Sequence, residues 1–157
     1  MVTATLPTEN SVRVLVYEWY RKLDQHAPLL ECLAMLADDC RLVFPDVTLT
    51  GKESFAAWYQ GGAQNLPGVV NLFFDEKHEV KRVDVKLSGI QPSEWQANVL
   101  VVVKWEARRR TPPRPNSDYL GFDAWQRWTV GLSTDGRPVV RDYIVDLLEK
   151  LQGSADL

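Results

Sequence analysis

Between Glu9 and Gln25 the apolar residues Val12, Leu15, Val16, Trp19 and Leu23 recur at steps of three and four, with charged and polar residues between them. That period predicts an amphipathic helix burying a single stripe. His26-Ala27-Pro28 interrupts it, and Pro28 suits the first turn of a second helix whose Leu29, Leu30, Leu33 and Leu36 face the core before Asp38-Asp39. Cys40 to Phe44 then reads as a short strand ended by Pro45. Thr50-Gly51-Lys52-Glu53 has the spacing of a capping box and predicts a third helix, with Phe55, Trp58 and Tyr59 on one face, ending near Gly61-Gly62.

After residue 70 the period changes. Asn71 to Leu87, Trp95 to Arg109, Phe122 to Leu132 and Arg137 to Leu147 are rich in Val, Trp, Phe and Thr, and turn residues bound each stretch. Four long strands in succession predict an antiparallel meander. The Pro- and Arg-rich segment 108–119 is too basic to bury and too poor in donors to pair, so it reads as an exposed hairpin loop. Asp135-Gly136 supplies the positive φ of a tight turn before the last strand. On that strand strict alternation sends Val140, Asp142 and Ile144 to one face, expected to be the enclosed one. The pattern as a whole predicts an α+β fold: three N-terminal helices packed in a strongly curved, mainly antiparallel sheet that closes round them as a cone. Residues 1–157 are read as one domain with frayed ends at about 1–8 and 152–157.

Composition narrows the function classes. A net charge of −3 gives no field to draw nucleic acid or an anionic membrane, and neither is expected as a partner. No run of eighteen apolar residues and no apolar leader occurs, so the expected location is cytoplasmic. Cys32 and Cys40 have no companions at metal-ligand spacing, which predicts reduced thiols and no metal. Phosphate loops, nucleophile elbows and dinucleotide-binding glycines are missing, and no cofactor is expected. On the second long strand Val99, Val101, Val103 and Trp105 share one face, while Leu100 and Val102 make the other partly apolar. A sheet greasy on both sides predicts a partner on the outside.

Several short stretches, in this order, resemble the nuclear transport factor 2-like superfamily, above all its SnoaL-like members. They are Trp19 to Asp24, Leu36 to Leu42 leading to Phe44-Pro45, Gly51 with the helix ending Ala57-Trp58, His78 at the opening of a long strand, Asp135-Gly136-Arg137, and Arg141-Asp142-Tyr143. The resemblance covers nearly the whole chain and implies the cystatin-like α+β cone. It also implies a hydrophobic pocket at the open end for a small hydrophobic or aromatic ligand, and a homodimer formed through the outer sheet face. Such proteins include polyketide cyclases, ketosteroid isomerases, scytalone dehydratases and limonene-epoxide hydrolases, together with many of no known activity.

Three residues are candidate catalytic groups. Asp142 is favoured, since an acid inside an apolar alternation is costly to bury, and Arg141-Asp142-Tyr143 resembles the acid-bearing segment of limonene-epoxide hydrolase. The Arg-x-Asp partner that hydrolase needs is replaced by Val103 and Trp105, or by Lys104 and Glu106 in the other register, which counts against epoxide hydrolysis. The ketosteroid isomerase base falls on Phe44 and is missing. Asp24 resembles the helix-one acid of the dehydratases, and His78, on a face with Val80 and Arg82, resembles their strand histidine. An imidazole beside either carboxylate would form an acid–base pair. Each acid also has a plainer reading as a solvated charge, and His78 has one among Asp75, Glu76, Lys77 and Glu79. Tyr20, Phe44, Trp58, Tyr59, Trp105 and Trp128 are the aromatic candidates for lining the pocket. Two readings follow: a cofactor-independent lyase, isomerase or cyclase, and a noncatalytic dimeric ligand-binding or scaffold domain.

Overall fold

Thr8 opens the first helix, α1 (Glu9–Asp24), by a reciprocal cap in which its hydroxyl accepts from the Ser11 backbone N–H and the Ser11 hydroxyl accepts from that of Thr8. Val12, Leu15, Val16, Trp19, Tyr20 and Leu23 form the buried stripe that the period predicts. The helix closes with Ala27 N–H donating to the Lys22 carbonyl (3.0 Å) and His26 N–H to that of Leu23 (3.1 Å). This is a Schellman closure, and it places His26 at the left-handed position, φ 49°, where glycine is usual. A side chain there costs roughly 1–2 kcal/mol.

The computed structural model describes residues 5–62 and 67–157. Beyond α1 come α2 (Leu29–Leu33), β1 (Leu36–Val43), β2 (Thr48–Thr50), α3 (Gly51–Gln60), α4 (Val69–Leu72), β3 (Phe73–Ser88), β4 (Gln96–Arg109), β5 (Asp118–Leu132) and β6 (Pro138–Lys150). The strands make one sheet in the order β2-β1-β6-β5-β4-β3, antiparallel throughout except for the β1–β6 pair. This is the expected α+β arrangement: helices packed on a curved, mainly antiparallel sheet.

Curvature has a visible cause. One residue is in excess on β3 between Phe74 and Lys77 and again at Lys81, and on β6 at Arg141 and at Asp146. Each bulge bends its strand and reverses which side chains face inward. The inward face of β3 therefore carries Phe73, Glu76, His78 and Val80, then Val83 and Val85, and Arg82 turns outward to pair with Asp84. The expectation that Arg82 shares the face of His78 fails at Lys81.

Four local expectations are corrected. The second helix is only five residues long, Leu30 lies exposed, and Leu36 is buried as the first residue of β1. A leucine spaced three from its neighbours fits a helix stripe or a strand equally, and strand pairing with Val140 decides it. Thr50 ends β2 and caps α3 without a side-chain hydrogen bond, so no capping box forms there. The basic loop spans only 110–117, because β4 and β5 stay paired out to Arg109 and Asp118. Residues 152–157 fold back rather than fray: the Ser154 hydroxyl accepts from Gly121 N–H, and Ala155 N–H donates to the Tyr119 carbonyl. Of the N-terminal stretch, residues 1–4 lie outside the described residues and Thr8 is fixed as a cap.

Candidate active site

The C-terminal end of α1 and the turn that closes it lie against the inner face of β3, and two ionisable residues from each side meet there. Asp24 and His78 form one pair: Asp24 Oδ1 lies 2.5 Å from His78 Nδ1, and Asp24 Oδ2 accepts the His78 backbone N–H at 2.9 Å. A carboxylate gripping both the ring and the main chain of one residue fixes the imidazole orientation and holds the proton on Nδ1. Nε2 is thereby left as the acceptor, and it makes no hydrogen bond among the described residues. The ring is largely buried, stacked on Tyr20 (centroids 4.7 Å) and flanked by Trp105 (6.3 Å).

His26 and Glu76 form the other pair. His26 Nε2 lies 2.5 Å from Glu76 Oε2, and the Trp105 indole donates to Glu76 Oε1 at 3.1 Å. Burial pushes the Glu76 carboxyl above its ordinary pKa, a shift opposed chiefly by the hydrogen bond from His26. These are the chain's only two histidines, each on an acid. The pairing runs crosswise, helix acid to strand imidazole and turn imidazole to strand acid. Among the described residues no group of three such side chains converges as a metal site would require.

Behind His78 lies a polar knot in an otherwise apolar interior. Gln126 Oε1 accepts from the Tyr20 hydroxyl (2.7 Å) and from Trp128 Nε1 (2.8 Å), and the Tyr20 and Tyr143 hydroxyls are 3.2 Å apart. Burial holds the Tyr20 phenol well above its ordinary pKa and raises Tyr143 to about 12, so both remain neutral donors. Trp19 Nε1 is buried without a hydrogen-bond partner among the described residues, although Trp19 sits near enough to Tyr143 to oppose that rise.

The structure brings Asp24 and His78 together but not Asp142. The extra residue at Arg141 puts Val140, Tyr143 and Val145 inward and turns Asp142 to the opposite face. There its side chain is 36% exposed and faces Arg41 at 3.5 Å. The expectation that residue 142 enters the enclosed hollow is corrected, because strict alternation does not survive a bulge. Of the aromatic candidates, Tyr20, Tyr59 and Trp128 are fully packed core, with the Tyr59 hydroxyl donating to the Ala27 carbonyl at 2.7 Å. Phe44 and Trp58 stack on each other, half-buried, at 4.9 Å, and Trp105 borders both pairs. Two surface hollows of about 380 and 500 Å³ lie elsewhere, one under the 110–117 loop and one beside Lys52 and Arg141.

His26, Glu76 and Gln126 escaped the sequence reading. A signal exists for the first two: Asp24-Gln25-His26 and Glu76-Lys77-His78 each place an acid and an imidazole two residues apart. On a strand that spacing puts both side chains on one face.

The architecture is an α+β cone, a curved, mainly antiparallel sheet closed round helices. No protein-family model and no curated protein matches the sequence. Solved structures do match in shape. A ketosteroid isomerase-like protein from Erwinia carotovora atroseptica is 16% identical, TM-score 0.65, over 91% of this chain and 95% of that one. A type 2 hexachlorocyclohexane dehydrochlorinase is 12% identical, TM-score 0.66, over 94% and 91%. A candidate scytalone dehydratase from Novosphingobium aromaticivorans is 16% identical, TM-score 0.62, over 94% and 91%. At such identities the likeness concerns the fold. No helix among the described residues is long and apolar enough to cross a membrane.

Proposed function

We propose that this chain is a cofactor-independent lyase, isomerase or cyclase acting on a small hydrophobic or aromatic molecule, with His78 as general base and Asp24 as the group that orients it. The observation that carries this reading is the 2.5 Å Asp24–His78 contact beneath aromatic walls. With its Nδ1 proton held by the carboxylate, the ring presents Nε2 to an acidic C–H and stores the proton as an imidazolium beside a counter-charge. Nothing supports epoxide hydrolysis through Asp142, whose carboxylate lies on the other side of the sheet.

A neutral carbon-acid probe tests the chemistry without knowledge of the natural substrate. On 5-nitrobenzisoxazole a base removes the ring C–H proton, the N–O bond breaks, and a coloured cyanophenolate is released. The expected result is turnover that falls by roughly 100-fold or more in His78→Asn and comparably in Asp24→Asn, the usual contribution of a positioned base. Equal turnover by wild type and His78→Asn would end the assignment.

A noncatalytic ligand-binding or scaffold domain is the second reading, favoured by how completely Trp19, Tyr20, Phe55 and Trp128 fill the interior. It is distinguished by ligand-induced thermal stabilisation without turnover.

A further inference from the structure

We propose that His26 and Glu76 form a second acid–base couple of this site, one that hands a proton to the departing or carbonyl oxygen of the ligand while His78 takes a proton from carbon. The inference rests on reading His78 as the base.

Three observations carry it. First, the couple repeats the construction of the first: an imidazole nitrogen 2.5 Å from a carboxylate oxygen whose other oxygen is held by an N–H donor, Trp105 for Glu76 and the His78 main chain for Asp24. Second, Trp105 joins the two couples, donating to Glu76 while its ring lies parallel to that of His78. Third, the fold departs from ordinary backbone preference to hold this geometry. His26 occupies the left-handed position of the helix closure, and Asp75, beside Glu76, also has positive φ, 51°. One partner of the couple thus stands on strained backbone, and the other directly follows a strained residue, which indicates a function that the strain serves. The couple is also open at the right end: Glu76 is only 5% exposed, but His26 is 26% exposed and reachable by a ligand.

Tyr59 of α3 lies near enough to Glu76 to feel its charge, and Cys32 of α2 lies beside Tyr59, with Glu31 and Lys22 close to that thiol. Burial raises the thiol and the phenol, so both stay neutral near pH 7. With Nε2–H donated to Glu76, a doubly protonated His26 offers Nδ1–H to the ligand. In the probe reaction His78 Nε2 takes the C–H proton, the C–H electron pair completes the nitrile, and the N–O pair goes to the phenolate oxygen. His26 supplies that oxygen with a proton. Exchange with solvent then resets both rings.

The experiment compares benzisoxazoles of graded leaving-phenol acidity in wild type, His26→Gly, His26→Asn and Glu76→Gln. Glycine suits the backbone at position 26 and asparagine tolerates it, so both variants are expected to fold, as circular dichroism would verify. A lost proton donor matters most for the poorest leaving group. The expected loss is roughly 30-fold or more for unsubstituted benzisoxazole and under about 3-fold for the 5-nitro compound, with a steeper leaving-group slope in all three variants. A pair that merely pins the helix to the strand would lower every substrate by one common factor, and that result, or none, overturns the inference while His78 stands. A His78→Asn variant as active as wild type would instead remove the base on which both rest.

Discussion

Glu76 is a carboxylate with almost no contact with water, and its side of the site makes a prediction about pH. Its folded-state pKa is raised above 4.5, first by burial, with the His26 hydrogen bond as the main opposing effect. The folded chain therefore holds this proton more tightly than the unfolded chain does. The resulting stabilisation is fully present below the unfolded value and is lost as pH rises through the folded one. Glu76→Gln removes the proton from the balance, so the decline in urea midpoint on the alkaline side of pH 4.5 should be shallower than in wild type. Parallel curves for the two proteins would mean that the carboxyl has the same proton affinity folded and unfolded. At this scale the sequence was only half legible. Asp24 and His78 stood out through resemblance, but Glu76 read as a member of a solvated run and His26 as part of the break after the first helix. Their meeting depends on a left-handed residue at the helix end and a bulge in the strand, and neither leaves a mark in residue type.

Among the elements, those with long unbroken periods matched their reading, and those defined by a few residues did not. The stripe of α1 and the alternation of β4 each repeat often enough that one face is unmistakable. On β6 a single extra residue at Arg141 was enough to exchange the two faces, moving Tyr143 into the polar knot and Asp142 out of it. Helix caps show the same division. Thr8 and Thr50 look alike in sequence, yet only Thr8 places its hydroxyl on a backbone donor. Thr8→Ala should destabilise the chain by about 1 kcal/mol, and Thr50→Ala by a few tenths. Chemical denaturation of the two variants decides it, and equal losses would show that the local cap geometry is not what holds α1.

For the molecule as a whole, the outer face of the sheet remains to be accounted for. Val102 pairs with Trp125 and Trp125 with Leu147 across β4, β5 and β6, with Leu100 one step along. Leu100, Trp125 and Leu147 are each roughly half exposed, which is unusual for side chains of that size in a contiguous row. Ion pairs flank the row, Lys81 with Asp123 on one side and Arg127 with Asp146 on the other. An apolar centre within a charged rim is the anatomy of a protein interface. Because the patch repeats identically in a second copy, a two-fold symmetric dimer covers both at once. We propose that the chain dimerises through this face, which points away from Asp24 and His78 and leaves the site open. Trp125→Lys should convert a dimer to a monomer in light scattering, with unchanged circular dichroism, since the ring contributes little to the monomer's own core. It should leave turnover of the benzisoxazole probe within about 2-fold of wild type, because the two faces share no side chain. A wild type that runs as a monomer at all concentrations would show that the apolar row serves no self-association, whereas a dimer untouched by Trp125→Lys would place the interface elsewhere on the cone.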